Sequence, residues 1–193
     1  MQEQSIKEKI MDATIIEFNE KGLKFTMDDI AKRLEMSKKT IYTVFQDKES
    51  LCMETVNYCF NAIKESEQAI IEDETLSLQE KIRRTLIVLP DRYQDIDFRK
   101  IYGGKEKYPK IYQEIMHRLS SGWEPTIALL EEGIATGQLR KFSVSVFKSM
   151  VESSINGFMS GNELLECDVT YEEALEEMLE ILWNGIENGA NHA

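Results

Sequence analysis

Apolar residues recur along the chain at spacings of three and four, the period of amphipathic helices. Stop and start signals cut that pattern into segments. Ser5 with Glu8 forms a capping box, Ile6, Ile10, Ala13 and Phe18 make an apolar stripe, and Gly22 after Lys21 is a stop. A second box, Thr26 with Asp29, predicts a short helix with Ile30, Ala31 and Leu34 on one face. Ser37 caps another short helix, Lys38 to Phe45, whose Ile41 and Phe45 point inward. Asp47 caps a long helix from Lys48 to about Ile71, with Cys52, Val56, Cys59, Phe60 and Ile63 on one side.

The second half follows the same grammar. Ser77 with Glu80 opens a helix carrying Ile82, Leu86 and Leu89, which Pro90 helps end. Residues 91–108 are weakly patterned: a short helix is expected from Asp95 to Tyr102, then a Gly103-Gly104 loop. Pro109 suits the first turn of a helix bearing Ile111, Tyr112, Ile115, Met116 and Leu119. Another helix runs from Trp123 to Thr136, with Pro125 at its start or at a kink and Gly137 at its end. Ser143 to about Gly161 and Thr170 onward are the last two helices, the final one opened by the box Thr170 with Glu173.

Two short helices joined by about three residues make a helix-turn-helix, whose second member enters the major groove of DNA. Ser37, Lys38, Lys39, Thr40, Tyr42 and Thr43 give that member two cations, hydroxyls and a phenol, and no acid lies between Ser37 and Gln46. Such groups bond phosphates and base edges. The competing reading is a helical hairpin with a solvated basic face.

Charge sharpens the choice. The chain of 193 residues has a net charge of −12, yet residues 1–50 hold nine Lys/Arg against ten Asp/Glu. The excess acid therefore lies after residue 50, where it discourages indiscriminate adhesion to nucleic acid and spares a local reading surface. Three prolines and ten glycines favour long helices over a turn-rich β fold. No apolar run reaches the ~18 residues of a membrane span. The odd cysteines Cys52, Cys59 and Cys167 form no C-x-x-C pair and fit a reduced, cytoplasmic setting. Cys52 and Cys59, seven apart on one helical face, are too distant for a disulfide.

Catalytic chemistry finds no foothold. His117 and His192 have no metal-ligand or base partner at a working spacing. Glu172, Glu173, Glu176, Glu177 and Glu180 form a solvated flank at a helix start rather than a metal site. No catalytic residue, metal or cofactor is expected.

The order Ile10, Ala13, Phe18, Gly22, Thr26, Ile30, Ala31, Ser37, Thr40, Ile41, Tyr42, Phe45, Lys48 and Leu51 resembles the N-terminal signature of the tetracycline-repressor (TetR) family of bacterial transcription regulators. Glu35 and Lys39 depart from it, standing where glycine is usual in the turn and frequent in the recognition helix. The resemblance implies a DNA-reading head, a small-molecule pocket and a homodimer.

The expectation is an all-α protein in two parts: a DNA-binding head at residues 1–47 and an effector-binding, dimerising body at 48–193. Ser37, Lys39, Thr40, Tyr42 and Thr43 meet the groove or its edge, and Thr26, Lys38 and Lys48 hold phosphates. Phe60, Ile63, Leu86, Tyr93, Tyr102, Tyr112, Met116, Trp123 and Phe158 are candidate pocket walls, or plain core. Phe147, Met150, Val151, Ile155, Leu175, Met178, Leu179, Leu182, Trp183 and Ile186 form the seam with a second copy, or the centre of a monomer. The expected partners are a palindromic operator in double-stranded DNA, a small-molecule effector and a second copy of the chain, with no membrane. The function expected is a ligand-responsive repressor; the alternative is a helical ligand-binding or oligomeric protein without operator recognition.

Overall fold

The computed structural model describes residues 5–90, 93, 96, 99–160 and 169–186, and the regular elements among them are helices. They are α1 (Ile6–Lys21), a 3-10 turn (Gly22–Lys24), α2 (Met27–Arg33), α3 (Lys38–Val44), α4 (Lys48–Glu72) and α5 (Leu78–Leu86). Then come α6 (Arg99–Tyr102), α7 (Pro109–Ser120), α8 (Glu124–Ala135), α9 (Val144–Ser160) and α10 (Tyr171–Ile186).

The expected caps are formed. Ser5, Thr26 and Ser77 each accept the N–H of the third helical residue, while Glu8, Asp29 and Glu80 reach back to the cap N–H. Thr170 and Glu173 do the same ahead of α10. Asp47 Oδ1 accepts the Ser50 N–H at 2.7 Å at the start of α4. Gly22, at φ 58°, ends α1 with its N–H on the Phe18 carbonyl. Pro125 takes an early place in α8 rather than kinking it, since the helix begins at Glu124.

Two boundaries differ from the sequence pattern. α5 stops at Leu86 and excludes Leu89, because Ile87 already has φ −127°. Ile87 and Val88 are β-branched and Leu89 precedes proline, so three successive positions disfavour continuation. The helix expected from Asp95 is described only as α6, since Asp95, Asp97 and Phe98 lie outside the described residues, as do Cys167 and His192.

The chain packs as two compact units, residues 1–62 with 95–117, and residues 63–94 with 118–193. The first therefore contains the expected head, the first part of α4 and the segment carrying α6 and most of α7. Its buried side chains include Ile10, Phe25, Ile30, Ile41, Phe45 and Leu51. In the second unit α5, α8, α9 and α10 surround Ile82, Leu129, Leu130, Phe147, Val151, Met178 and Trp183. Gly133 belongs to this closeness: a Cβ there would fall 2.7 Å from Leu139 Cδ1.

Burial divides the residues of the expected seam. Phe147, Val151, Met178, Leu179, Trp183 and Ile186 are 1–8% exposed and buried within the chain's own second unit. Of that expected set Met150 is exposed, and Ile155, Leu175 and Leu182 are half-buried. The exposed apolar positions on α9 and α10 are Val146, Met150 and Ile181. An apolar periodicity identifies residues that leave water without telling whether their own chain or another covers them.

Candidate nucleic-acid interface

The helix-turn-helix is held from below by apolar contacts and from the side by charge. Ile30 and Ala31 of α2 are buried, as are Ile41 of α3 and Phe45 just after it. Between the helices, Glu35 N–H donates to the Lys32 carbonyl at 3.2 Å and Met36 N–H to the Ala31 carbonyl at 2.9 Å. That is the Schellman arrangement, which needs a left-handed residue, and Glu35 supplies it at φ 53°. The strain of about 1 kcal/mol falls where the family pattern usually has glycine.

Glu17 on α1 is 3% exposed and carries the lateral tie. Its carboxylate lies 2.7 Å from Arg33 Nε at the end of α2 and 2.7 Å from Lys21 Nζ. Lys21 also meets Asp29 at 2.9 Å, and Arg33 meets Glu20 at 2.5 Å. Burial pushes the Glu17 carboxyl up, but hydrogen bonds from Lys21 and Arg33 outweigh it and hold the group below its ordinary value. The Lys21 ammonium first, then Thr26, hold Asp29 far below the usual carboxylate range. This network orients α2, and through it α3, on the frame of α1. Sequence reading missed Glu17: Lys21 is visible at i+4, but nothing local points to Arg33.

On the outer side, Ser37, Lys38, Lys39, Tyr42 and Thr43 are exposed and Thr40 is half-buried. Ser37 Oγ accepts the Thr40 N–H at 3.1 Å and lies 2.8 Å from Thr40 Oγ1, and Thr43 Oγ1 donates to the Thr40 carbonyl at 2.6 Å. These hydroxyls stiffen the first turns and retain acceptor lone pairs. Lys38 Nζ rests 3.0 Å from Asp28, a surface pair that a phosphate can displace. Lys39 has no carboxylate partner among the described residues, and Tyr42 is 44% exposed.

Two candidate phosphate donors turn out differently. Thr26 gives both its N–H (2.7 Å) and its O–H (2.8 Å) to Asp29, so it acts as a cap with no donor left for a phosphate. Lys48 Nζ donates to the carbonyls of Leu23 and Phe25 and sits 4.0 Å from the Phe25 ring centre. One of its three N–H groups remains for an anion.

The nine candidate pocket residues are divided between the two units. Ile63, Leu86, Tyr93, Trp123 and Phe158 belong to the second unit, where Leu86, Trp123 and Phe158 pack against its core. Tyr102 and Tyr112 meet edge-to-face at 6.0 Å in the first unit, which also holds Met116. Phe60 lines a cavity of about 90 Å³ within that unit, with Phe18, Cys52, Val56, Ile101 and Ile115 among its other walls. Thr14 and Thr55 also border it but donate their hydroxyls to the carbonyls of Ile10 and Leu51. Burial pushes the Cys52 thiol up to about 12, as an apolar surrounding does.

The fold and this exposed helix define an all-α helix-turn-helix protein. Residues 10–55 match the profile of the bacterial regulatory proteins, tetR family. An uncharacterised HTH-type transcriptional regulator of Bacillus subtilis, YvaF, is 28% identical over 178 residues, 92% of this chain and 94% of its own. IcaR of Staphylococcus epidermidis, a negative transcriptional regulator of the biofilm operon icaADBC, is 39% identical over 57 residues, 29% of this chain and 31% of its own. Among solved structures, the TetR-family regulator PfmR of Thermus thermophilus aligns with a TM-score of 0.66 at 19% identity, covering 97% of this chain and all of that one. Residues 10–55 are thus similar to the TetR-family head, and the chain along most of its length is similar to a transcriptional regulator, YvaF. Among the described residues, no helix is long and apolar enough to cross a membrane.

Proposed function

We propose that the protein is a cytoplasmic, homodimeric repressor that binds a palindromic operator and is released from it by a small molecule. The observation that carries the reading is the exposed Lys38–Thr43 face, free of acids, on a capped helix packed against α2, which is itself braced on α1, in a strongly acidic chain. Lys39, Tyr42 and Thr43 read the groove or its edge, Ser37 and Thr40 border it, and Lys38 and Lys48 take phosphates. The likeness over 57 residues to IcaR, a negative regulator, supports repression.

Two copies meet through the exposed apolar side chains Val146 and Met150 of α9 and Ile181 of α10. Gly157 and Gly185, beside which an added Cβ would find open space, let helices approach closely. A two-fold axis then presents two heads to half-sites about one helical turn, ~34 Å, apart. The cavity behind Phe60 and Val56 suits a compact, uncharged effector, since its walls offer no polar surface.

Selection from a random duplex pool tests the reading, with an enriched palindrome as the expected result. An Ile181→Glu variant should be monomeric in analytical ultracentrifugation and enrich nothing. A wild-type pool without palindromic enrichment would overturn operator recognition.

A further inference from the structure

Between Arg99 and Lys110 the sequence holds five bases, Arg99, Lys100, Lys105, Lys107 and Lys110, against the single acid Glu106. The helix-turn-helix uses none of them, and in a chain of net charge −12 such a concentration stands out.

The fold carries this segment onto the reading head. Lys100 Nζ donates to the Asn19 carbonyl at the end of α1, and α6 packs on the 3-10 turn. Gly104 closes against Leu23 of that turn: a Cβ there would fall 2.0 Å from Leu23 Cδ1, so glycine lets the loop seat without displacing the side chain. Beyond the loop, Lys110 Nζ lies 3.6 Å from Glu49 in the first turn of α4. The Tyr108 ring centre is 5.3 Å from Lys48 Nζ and 5.5 Å from Lys107 Nζ. Lys48 stands four residues past Val44, the end of α3, a stretch that spans at most ~14 Å.

The cations themselves are presented rather than neutralised. Lys105 Nζ rests 5.1 and 5.2 Å from the rings of Tyr102 and Tyr112, and Lys107 on Tyr108. Aromatic faces hold an ammonium in place while leaving its charge intact. Neither lysine has a carboxylate partner among the described residues, and Lys110, 76% exposed, has a long one.

We propose that residues 105–110 form a second DNA-contacting surface, in which Lys105, Lys107 and Lys110 grip backbone phosphates beside the groove entered by α3. The proposal rests on the DNA-reading role of α3 and adds sequence-independent affinity to it. Lysine is a point charge without the fork that reads a base edge, so the gain is in grip and not in discrimination.

The test is fluorescence anisotropy with two duplexes of equal length, one carrying the sequence that the wild-type protein enriches and one unrelated, over a range of KCl concentrations. Lys105→Gln combined with Lys107→Gln should weaken binding to both duplexes by the same factor. The slope of log affinity against log salt should become shallower by about 0.9 for each phosphate no longer neutralised. Lys105→Arg with Lys107→Arg should keep the wild-type slope, which excludes a folding defect as the cause. A slope unchanged in the Gln variant overturns the proposal while leaving α3 as the reader. Absence of wild-type binding to either duplex would instead overturn the DNA-reading role, and this surface with it.

Discussion

The two compact units are stabilised by different means. In the unit that holds the reading head, α2 and α3 are two turns each and too short to persist alone. Their hold depends on caps, on a Schellman turn and on the ions around Glu17. The unit of α5, α8, α9 and α10 instead relies on one continuous apolar cluster centred on Leu130, Val151 and Trp183. Directional polar contacts fix where a reading surface points, whereas apolar packing supplies bulk stability that tolerates an acidic exterior.

Truncation in the apolar unit should have the largest consequence. Trp183, 2% exposed, packs within the cluster, and Trp183→Ala should lower stability by about 3–5 kcal/mol in urea unfolding. In the head, Glu17→Ala should lower it by about 1–2 kcal/mol. That is less than for a fully buried pair, because Arg33 and Lys21 are partly exposed and return to water. Comparable losses for the two would erase the contrast between the units.

Acid sharpens the same distinction. Glu17 and Asp29 have folded-state pKa values below their ordinary 4.5 and 3.8, so they bind protons more weakly when the protein is folded. Their contribution is complete above about pH 5 and is lost as pH falls through 4.5 and below. Glu17→Gln should therefore flatten the decline of stability between about pH 5 and 3, whereas Trp183→Ala should shift the whole curve without changing its shape. The smallest effect belongs to the turn: Glu35→Gly relieves a left-handed φ of 53° and should raise the melting temperature, by about 0.5–1 kcal/mol in stability.

The contrast also explains what could be read in advance. Caps are local, so Ser5 with Glu8, Thr26 with Asp29, Ser77 with Glu80 and Thr170 with Glu173 were legible from a spacing of three. The exposed face of α3 was legible for the same reason, since Ile41 and Phe45 fix which side is inward. Pairings distant in sequence carry no such mark. Glu17 with Arg33, Lys100 with Asn19 and Gly104 against Leu23 join residues 16 to 81 positions apart. In α9 and α10 the pattern gave apolar residues in plenty, but burial assigned Phe147 and Trp183 to the core and left Val146 and Ile181 outside.

The most direct test of the exposed α3 face is the ratio of affinities for the selected duplex and an unrelated one, measured for the wild type and for Tyr42→Ala. Tyr42 is 44% exposed, so the variant should keep its fold. Its ratio should fall by about tenfold or more, the loss expected for one base-reading group. A ratio equal to that of the wild type would contradict the assignment of this helix as the part that reads DNA.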